Sequence, residues 1–324
     1  MTILGIIGKI VLSLIGLVAG FIIFSTINHR YHLKKENEKY PPPGVLVTVN
    51  NKKIHVYSEG QGNITLVFMA GHGTSAPTID FKPLWMKLSD EYRIIIVEKA
   101  GYGWSETSSH SRSIDTILKE TRKALELSGE NGPFILIPHS MSGLEAIYWA
   151  QKYPNEVKAI IGIDPAVPDI YEKNSELLSQ NFKLKFMHFM SKIGLPRFLN
   201  RKELEKILPL IKSTELSSYD KDRAVAVFYK SSVTRNMLKE IDSISENAKM
   251  VKTNPVPSNT PMYFFITDGN DVLFPNWKKQ LTKYVSELNC GRYKYLECGH
   301  FAHHEKPDII ADGIKYYLEG IYSN

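Results

Sequence analysis

Six short apolar runs alternate with helix-patterned segments between residues 64 and 296, and this alternation restricts the chain to few folds. Such runs are typical of strands buried on both faces, which predicts an α/β fold with a mostly parallel sheet and helices on both of its faces. Before them, Val45–Val49 and Ile54–Tyr57 flank the turn-rich residues 50–53, which predicts an antiparallel hairpin. The six runs are Ile64–Met69, Ile94–Val97, Phe134–Ile137, Ala159–Ile163, Met262–Ile266 and the less purely apolar Tyr293–Leu296.

Between residues 164 and 261 the alternation lapses and helical periodicity replaces it. We interpret residues from about 166 to 256 as a helical lid inserted over the carboxyl edge of the sheet. A packed helical subdomain without a role in substrate choice is the alternative. The helical period predicts buried positions at Leu177, Leu178, Phe182, Leu184, Phe186, Met187, Phe189 and Met190.

The amino-terminal stretch Ile3–Phe24 is apolar apart from Lys9, Ser13 and several glycines, and it is long enough to cross a bilayer. The apolar stretch of a cleaved signal peptide would stop after about 7 to 15 residues at a small-x-small site. Here the apolar run continues past the small pair at residues 19–20. We therefore predict a single-pass transmembrane helix within residues 1–28.

Basic residues follow the predicted span in larger number than they precede it. Arg30, Lys34, Lys35 and Lys39 lie after it, against Lys9 and the amino terminus before it. The positive-inside rule then predicts that the following domain lies on the cytoplasmic side of the membrane. Residues 40–44, Tyr-Pro-Pro-Pro-Gly, form a stiff spacer, so we expect a charged, proline-rich linker at 29–44 and the main domain at 45–324.

The net charge of +6 is spread over helices in which basic residues alternate with Asp and Glu. The dense basic stripe or aromatic platform typical of nucleic-acid binding is missing from this pattern. We therefore predict no nucleic-acid partner, and the charge favours attraction to anionic lipid instead.

The two cysteines of the chain, Cys290 and Cys298, bracket the last predicted strand. An extended strand would hold them about 25 Å apart, far beyond the reach of a disulfide. We expect two free thiols, which agrees with a reducing compartment.

Ser140 lies in the segment Pro138-His139-Ser140-Met141-Ser142-Gly143, directly after an apolar run and directly before a helical pattern. Such a strand-to-helix turn is called the nucleophile elbow, because it exposes the hydroxyl of its serine at the top of a parallel sheet. The strained turn needs small residues two positions before and two positions after the serine. Ser142 meets this need, whereas Pro138 replaces the usual glycine. In one alternative interpretation, Ser140 is only a helix cap. In another, Ser142 is the nucleophile, but Leu144 would then fill a position that tolerates only small side chains.

A serine hydroxyl needs a base to remove its proton, and the base is usually an imidazole oriented by a carboxylate. His300 follows the last predicted strand beside Gly299, and Asp271 lies in the loop after the preceding strand. These residues give the chain order serine, aspartate, histidine that accompanies this type of turn. We favour Asp271 as the carboxylate, with Asp164 and Asp268 as alternatives.

From about Val45 to the carboxyl terminus the chain resembles the α/β-hydrolase superfamily. More narrowly, the apolar amino terminus, residues 40–44 and the segment Ala100-Gly101-Tyr102-Gly103-Trp104-Ser105 are similar to bacterial membrane-anchored α/β-fold hydrolases. This resemblance implies that Ser140 is the nucleophile, that His300 is the general base and acid, and that Asp271 orients His300.

The resemblance also implies an oxyanion hole made of backbone amides. Met141, the residue after the nucleophile, would supply one of them. The loop after Met69 resembles the family's His-Gly-x loop with Ala70 in the place of the histidine, so the amide of His72 would supply the other. We expect the His72 side chain to line the substrate pocket.

A metal site is the competing interpretation of His300, His303 and His304, since helical spacing would bring the first and last of them together. The carboxylate pattern of a known metal class does not accompany them, and Glu305-Lys306-Pro307 indicates the start of a closing helix. We expect neither a metal nor a cofactor.

These features together predict a membrane-anchored serine hydrolase that cleaves an ester or a related acyl substrate through an acyl-enzyme. Thioester, lactone and amide substrates remain open, and an apolar lid near a bilayer favours a lipid-like acyl chain. Members of the superfamily that open epoxides or remove halogens have an aspartate at the elbow, which argues against those reactions. The alternatives are an acyltransferase with the same reacting residues and a noncatalytic, membrane-tethered binding protein on a hydrolase scaffold.

Overall fold

The computed structural model describes residues 3–171, 177–268 and 276–323. Its strands are β1 (Val45–Val49), β2 (Lys52–Glu59), β3 (Thr65–Met69), β4 (Arg93–Glu98), β5 (Phe134–Ser140), β6 (Val157–Pro165), β7 (Met262–Thr267) and β8 (Gly291–Leu296). Over the described residues they form one eight-stranded sheet in the order β1-β2-β4-β3-β5-β6-β7-β8. The pairs β1–β2 and β2–β4 are antiparallel, and all other neighbouring pairs are parallel.

The six apolar runs coincide with β3 to β8 to within a few residues, which confirms the predicted fold class. The hairpin at the edge of the sheet has a tighter turn than the four residues we expected. Val49 pairs directly with Lys52, and Asn50 and Asn51 form the turn with φ angles of 50° and 60°. Asparagine tolerates this left-handed backbone better than most side chains, which permits a two-residue connection.

Helices cover both faces of the sheet because successive strand residues point to opposite sides. On one face, Leu66 and Phe68 belong to a core that includes residues of α3 and α12. On the other face, Val67 and Met69 belong to a core with α4, α5 and α10. The helices are α1 (Ile3–Lys39), α2 (Pro77–Asp80), α3 (Lys82–Trp85), α4 (Ile114–Leu127), α5 (Ser142–Lys152), α6 (Leu177–Lys192), α7 (Arg201–Ile207), α8 (Ser218–Ser231), α9 (Arg235–Thr253), α10 (Trp277–Ser286), α11 (Ala302–Glu305) and α12 (Pro307–Tyr322).

Helices α6 to α9 lie between β6 and β7 and are called the cap below. The cap contributes Leu208, Leu210 and Phe228 to a third hydrophobic cluster. This cluster also contains Ile79 and Trp104, which follow the carboxyl ends of β3 and β4. The cap is therefore seated over the carboxyl edge of the sheet.

The expected burial of the apolar residues on α6 is wrong for its phenylalanines. Phe182, Phe186 and Phe189 are 77%, 54% and 50% exposed, and Met187 is also exposed. Spacings of four and three residues place the three rings on one face of the helix. A helical period identifies residues that share a face, but it does not identify what covers that face. The side chains of Leu177 and Leu178 lie outside the described residues.

Helix α1 is continuous from Ile3 to Lys39 and is long and apolar enough to be a candidate membrane span. Its apolar side chains up to Phe24 are largely exposed, whereas Ser25 and His29 are buried. The residues that we expected to begin a linker at position 29 thus continue the helix and pack on the domain. The proline-rich spacer begins only at Tyr40, whose side chain is buried as well.

The two cysteines at the ends of β8 are free, as predicted. Cys290 is exposed and Cys298 is half-buried.

Candidate active site

Ser140 ends β5 on the turn that leads into α5. Its φ angle of 55° lies in the left-handed region, which is strained for a serine and typical of residues held at functional sites. Its carbonyl oxygen accepts a hydrogen bond of 2.7 Å from the Ala166 N–H, so the end of β6 supports the turn. The side chain is half-buried at the carboxyl edge of the sheet, where the elbow hypothesis expects it.

Ser142, the rival nucleophile, has a structural role. Its side chain is fully buried, and its hydroxyl donates a hydrogen bond of 2.6 Å to the Met69 carbonyl. The same oxygen accepts one of 3.1 Å from the His139 N–H. Ser142 thus ties the end of β3 to the elbow, and its hydroxyl is engaged with backbone groups.

His300 lies directly against the elbow. The ring centroids of His300 and His139 are 4.6 Å apart, and His139 Nε2 donates to the His300 carbonyl at 3.0 Å. Burial, together with the neighbouring imidazoles of His300 and His303, holds the pKa of His139 well below its usual value. A neutral His139 with its proton on Nε2 therefore fixes the backbone of the His300 loop beside Ser140.

Asp164 is the carboxylate that contacts His300, with 2.6 Å between Asp164 Oδ2 and His300 Nδ1. Asp164 is the last residue but one of β6, has a φ angle of 45° and is fully buried. The Thr267 backbone N–H and hydroxyl donate to its two oxygens at 3.0 and 2.9 Å. Since a carboxylate only accepts hydrogen bonds, His300 carries a proton on Nδ1 and presents Nε2 as an acceptor.

The two other carboxylates that we considered have different positions. Asp271, the favoured candidate from the sequence, lies outside the described residues. Asp268 is exposed and forms an ion pair of 2.7 Å with Lys278. The arrangement in the described residues thus corresponds to the Asp164 alternative. The sequence signal for it was the position of Asp164 at the end of the strand after the elbow.

The loop after β3 passes close to Ser140. A Cβ atom added to Gly71 would lie 2.6 Å from the Ser140 Cβ, so this approach requires a glycine. His72 and Met141, the predicted oxyanion donors, are the chain neighbours of Gly71 and Ser140, respectively. The two backbone segments that carry the predicted donors therefore meet at the elbow.

The His72 side chain faces the cap. Its Nε2 lies 3.0 Å from the carbonyl oxygen of Met237 on α9, which makes Nε2 the protonated nitrogen. Burial lowers the pKa of His72, with opposition from the Glu240 carboxylate. A neutral imidazole thus links the predicted oxyanion loop to the cap.

Asp80, His303 and the half-buried His304 form a second group, whose potential metal-ligating atoms are all within 4.8 Å of one another. His303 Nε2 and His304 Nε2 contact the Asp80 carboxylate at 2.8 and 3.1 Å. Burial and the His304 charge lower the pKa of His303 to about 4, and although burial opposes it, the two imidazoles hold the pKa of Asp80 well below its usual range. The ligating atoms therefore already satisfy one another as hydrogen-bond partners.

His300 stands apart from that group. Its Nδ1 faces Asp164. In the described part of the chain, His303 and His304 share the Asp80 carboxylate, and His300 is not part of that group.

A cavity of about 440 Å³ lies between the site and the cap. His72 and Phe301, the chain neighbours of Gly71 and His300, line it on one side, and Leu184, Met187 and Met190 line it from α6. A mainly apolar cavity of this size, with a few polar groups at one end, is typical of sites for small organic ligands.

Comparisons with known proteins agree with this architecture. A family model described as serine aminopeptidase, S33, matches residues 66–307. The uncharacterized protein YbdG of Bacillus subtilis is 35% identical over 303 residues, with 92% of each chain covered. Epoxide hydrolase 1 of Caenorhabditis elegans is 24% identical over 200 residues, which span 59% of this chain and 48% of that protein.

Solved structures with the same fold have more distant sequences. A variant of an epoxide hydrolase from Bacillus megaterium aligns with a TM-score of 0.63 and 20% identity, covering 85% of this chain and 100% of its own. The enol-lactonase from Burkholderia xenovorans aligns with a TM-score of 0.57 and 14% identity, covering 85% and 99%. At these identities the likeness concerns the fold alone.

Proposed function

Because the chain belongs to the serine aminopeptidase S33 family of α/β hydrolases, we propose that it is a serine hydrolase that uses Ser140, His300 and Asp164 to cleave an acyl substrate. The observation that carries this proposal is the contact of 2.6 Å between His300 Nδ1 and the fully buried Asp164. The loop that carries His300 is held against His139, the residue before Ser140. A histidine in this setting has its acceptor nitrogen free for a serine proton.

In the first half of the reaction, Ser140 Oγ attacks the carbonyl carbon of the substrate while its proton passes to His300 Nε2. Asp164 keeps the imidazole in the required tautomer and stabilises the imidazolium that forms. The carbonyl oxygen becomes an oxyanion that accepts hydrogen bonds from the His72 and Met141 amides. The imidazolium then gives its proton to the leaving group, and the acyl group stays on Ser140.

In the second half, water attacks the acyl-enzyme and releases the acid. His300 removes a proton from the water and later returns one to Ser140 Oγ. His72 Nε2 is engaged with the Met237 carbonyl, which leaves the His72 backbone, not its ring, for this chemistry. His139 holds the His300 loop, because its Nε2 is bonded to the His300 carbonyl.

The residue at the elbow favours acyl chemistry over epoxide opening. The comparisons include proteins named epoxide hydrolases, but members of the superfamily that open epoxides have an aspartate at the elbow. Here a serine holds that position. We therefore propose carboxylic ester hydrolysis as the reaction class.

The cavity favours an apolar acyl group as the substrate portion that is bound. Leu184, Met187 and Met190 present aliphatic and thioether surface to its interior, and thioether side chains adapt to irregular apolar ligands. Burial of each methylene in such a cavity contributes about 0.8 kcal/mol, so even a medium-length chain would bind by its tail.

We further propose that α1 spans the membrane once, with the domain on the cytoplasmic side. The length and composition of α1 and the basic residues after Phe24 support this topology. The anchored enzyme would then work beside a lipid surface.

A fluorophosphonate probe tests the proposed reaction on the detergent-solubilised full chain. Wild type should be labelled and should hydrolyse a short-chain ester, and Ser140→Ala should lose both properties. Ser142→Ala serves as the matched control and should still be labelled, because the Ser142 hydroxyl is engaged with backbone groups and is not the proposed nucleophile. A folded wild-type protein that neither reacts with the probe nor cleaves esters would refute the proposal and favour a binding protein.

A further inference from the structure

The outer face of α6 is an unusual surface for a water-soluble domain. Phe182, Phe186 and Phe189 stand on it, each at least half exposed, and Phe198 just beyond the helix is 50% exposed. Single exposed apolar residues are ordinary, but contiguous aromatic rings on one face mark an interaction site. We call Phe182, Phe186, Phe189 and Phe198 the phenylalanine face.

Lysines flank the phenylalanine face. At 100° per residue, Lys183 lies about 100° to one side of the rings, and Lys185 and Lys192 lie about 60° to 80° to the other. All three lysines are exposed. An aromatic stripe bordered by cations is the pattern of a helix that lies in a membrane interface, where the cations meet anionic headgroups.

The phenylalanine face is held at the end of the candidate span. Ser25, the residue after the apolar run of α1, donates a hydrogen bond of 2.5 Å to the carbonyl of Ile193, the residue after α6. The rings of Phe21 and Phe198 are in contact, with centroids 5.5 Å apart. The carboxyl end of α6 therefore meets α1 at the end of the candidate span.

An ion pair makes this junction rigid. The nearly buried Arg197 donates to Glu36 through both terminal nitrogens at 2.7 and 2.6 Å, and to His29 Nδ1 at 2.9 Å. Its guanidinium also stacks on Tyr229 at 4.4 Å. Gly194 completes the contact, because an added Cβ there would lie 2.4 Å from the His29 Cβ. The cap thus has a fixed orientation relative to α1.

Leu184 and Met187 line the cavity from the far side of α6, and Met190 lines it from the flank next to the rings. Met187 and Ile207 line the cavity and are also 38% and 48% exposed, so they form part of its mouth. Met190, which also lines the cavity, lies about 40° around the helix from Phe186. The mouth of the cavity therefore opens beside the phenylalanine face.

We propose that the phenylalanine face is embedded in the headgroup region of the bilayer that α1 spans, and that the cavity takes its acyl chain directly from that bilayer. The second part rests on the proposed hydrolase function, whereas the first part rests only on the surface and its junction with α1. The occupant of the phenylalanine face is a lipid leaflet that contains anionic lipid.

Depth-dependent quenching tests the embedding. The full chain with Cys290→Ser and Cys298→Ser carries one new cysteine, either Phe186→Cys or the control Tyr316→Cys on α12, where the native side chain is 77% exposed. A fluorophore on that cysteine is measured in vesicles of phosphatidylcholine and phosphatidylglycerol with nitroxide-labelled lipids. Position 186 should be quenched several-fold more than position 316, most strongly by nitroxides near the headgroups, and Phe198→Cys should behave like position 186.

Equal, weak quenching at positions 186 and 316 in folded protein would overturn the proposal. Disulfide-linked dimers through position 186, without lipid quenching, would also overturn it, because they would make a second copy of the chain the occupant. This readout needs no turnover, so an inactive enzyme leaves it intact.

The delivery of substrate is measured as a ratio of two rates. For each protein, the rate on a vesicle-borne ester is divided by the rate on a water-soluble ester. This ratio should be at least about fivefold lower in the double variant Phe186→Ser and Phe189→Ser than in wild type. An unchanged ratio would refute delivery from the bilayer. Absence of both hydrolyses in wild type would instead refute the proposed function.

Discussion

Replacement of Asp164 by asparagine should abolish activity with little loss of stability. The carboxylate accepts from the Thr267 amide at Oδ1 and from the Thr267 hydroxyl and His300 at Oδ2. In Asp164→Asn the remaining carbonyl oxygen would keep the Thr267 N–H bond, which places the new NH₂ group opposite His300 Nδ1. That group can only donate, so Nδ1 must become the acceptor and the ring proton must move to Nε2. His300 could then no longer accept the proton of Ser140.

The magnitude follows from the contacts that change. An imidazole locked in the wrong tautomer costs about 10⁴-fold in rate, or about 5 kcal/mol of transition-state stabilisation. The Thr267 hydroxyl loses one buried acceptor, which costs about 1 to 2 kcal/mol of folding free energy. Activity and stability should therefore separate clearly in one variant.

The assay is kcat/KM on a short-chain ester with full-length protein in detergent, with thermal unfolding measured on the same samples. Asp268→Asn is the matched control, because Asp268 is exposed and paired with Lys278, and it should stay within about threefold of wild type. Asp271→Asn should retain activity as well. A folded Asp164→Asn enzyme within tenfold of wild type, or a larger loss in Asp271→Asn, would refute the assignment of Asp164.

Three further perturbations follow from the contacts described above. Gly71→Ala would place a Cβ 2.6 Å from the Ser140 Cβ, so kcat/KM should fall by at least about 10²; full activity would contradict the close approach. Gly194→Ala would place a side chain at a φ of 78° and a Cβ atom 2.4 Å from the His29 Cβ. It should lower the unfolding free energy by about 1 to 3 kcal/mol, measured as a lower melting temperature. An unchanged melting temperature would argue against the junction. Burial lowers the pKa of His303 from 6.5 to about 4, so between these values the unfolded chain binds a proton that the folded chain excludes. The unfolding free energy should therefore drop by up to about 3 kcal/mol as the pH falls through this window, and His303→Asn should flatten the slope in urea titrations, an identical slope being the contrary result.

The sheet and the positions of Ser140 and His300 at its edge could be predicted because their signals are local. Each buried strand is a contiguous apolar run, and Ser140 and His300 each follow such a run. The carboxyl ends of parallel strands share one edge, so residues after different strands can be brought together without knowledge of the packing.

Asp164 and Asp271 both follow strands at that edge, so loop position alone does not decide between the two carboxylates. What distinguishes Asp164 is the pairing of β6 with β7, in which Ile163 lies opposite Phe265. This register brings Thr267 close enough to hold Asp164 through both its amide and its hydroxyl. Strand register depends on contacts between distant segments, and local patterns in one sequence do not reveal those contacts.

The amino terminus and the cap show a second limit. Charge and proline content indicate a linker after residue 28, but this segment is helical and is joined to the cap by the ion pair of Glu36 with Arg197, 161 positions away. The phenylalanines of α6 were expected in a core because apolar side chains usually lie there. Their exposure depends on how α6 packs against α1 and the rest of the cap, and the sequence pattern of α6 alone does not show that packing.

The docking of α1 on the cap has a consequence for work with shortened versions of this protein. A fragment that starts at Val45 would lack Ser25, His29 and Glu36, and would leave the Ile193 carbonyl and the Arg197 guanidinium without the partners they have in the full chain. An unpaired, nearly buried arginine is strongly destabilising, so such a fragment would have a loosened cap around the cavity mouth. Substrate preferences measured on it would describe a differently shaped entrance, and inhibitors selected against it would be fitted to a surface that the anchored enzyme does not present.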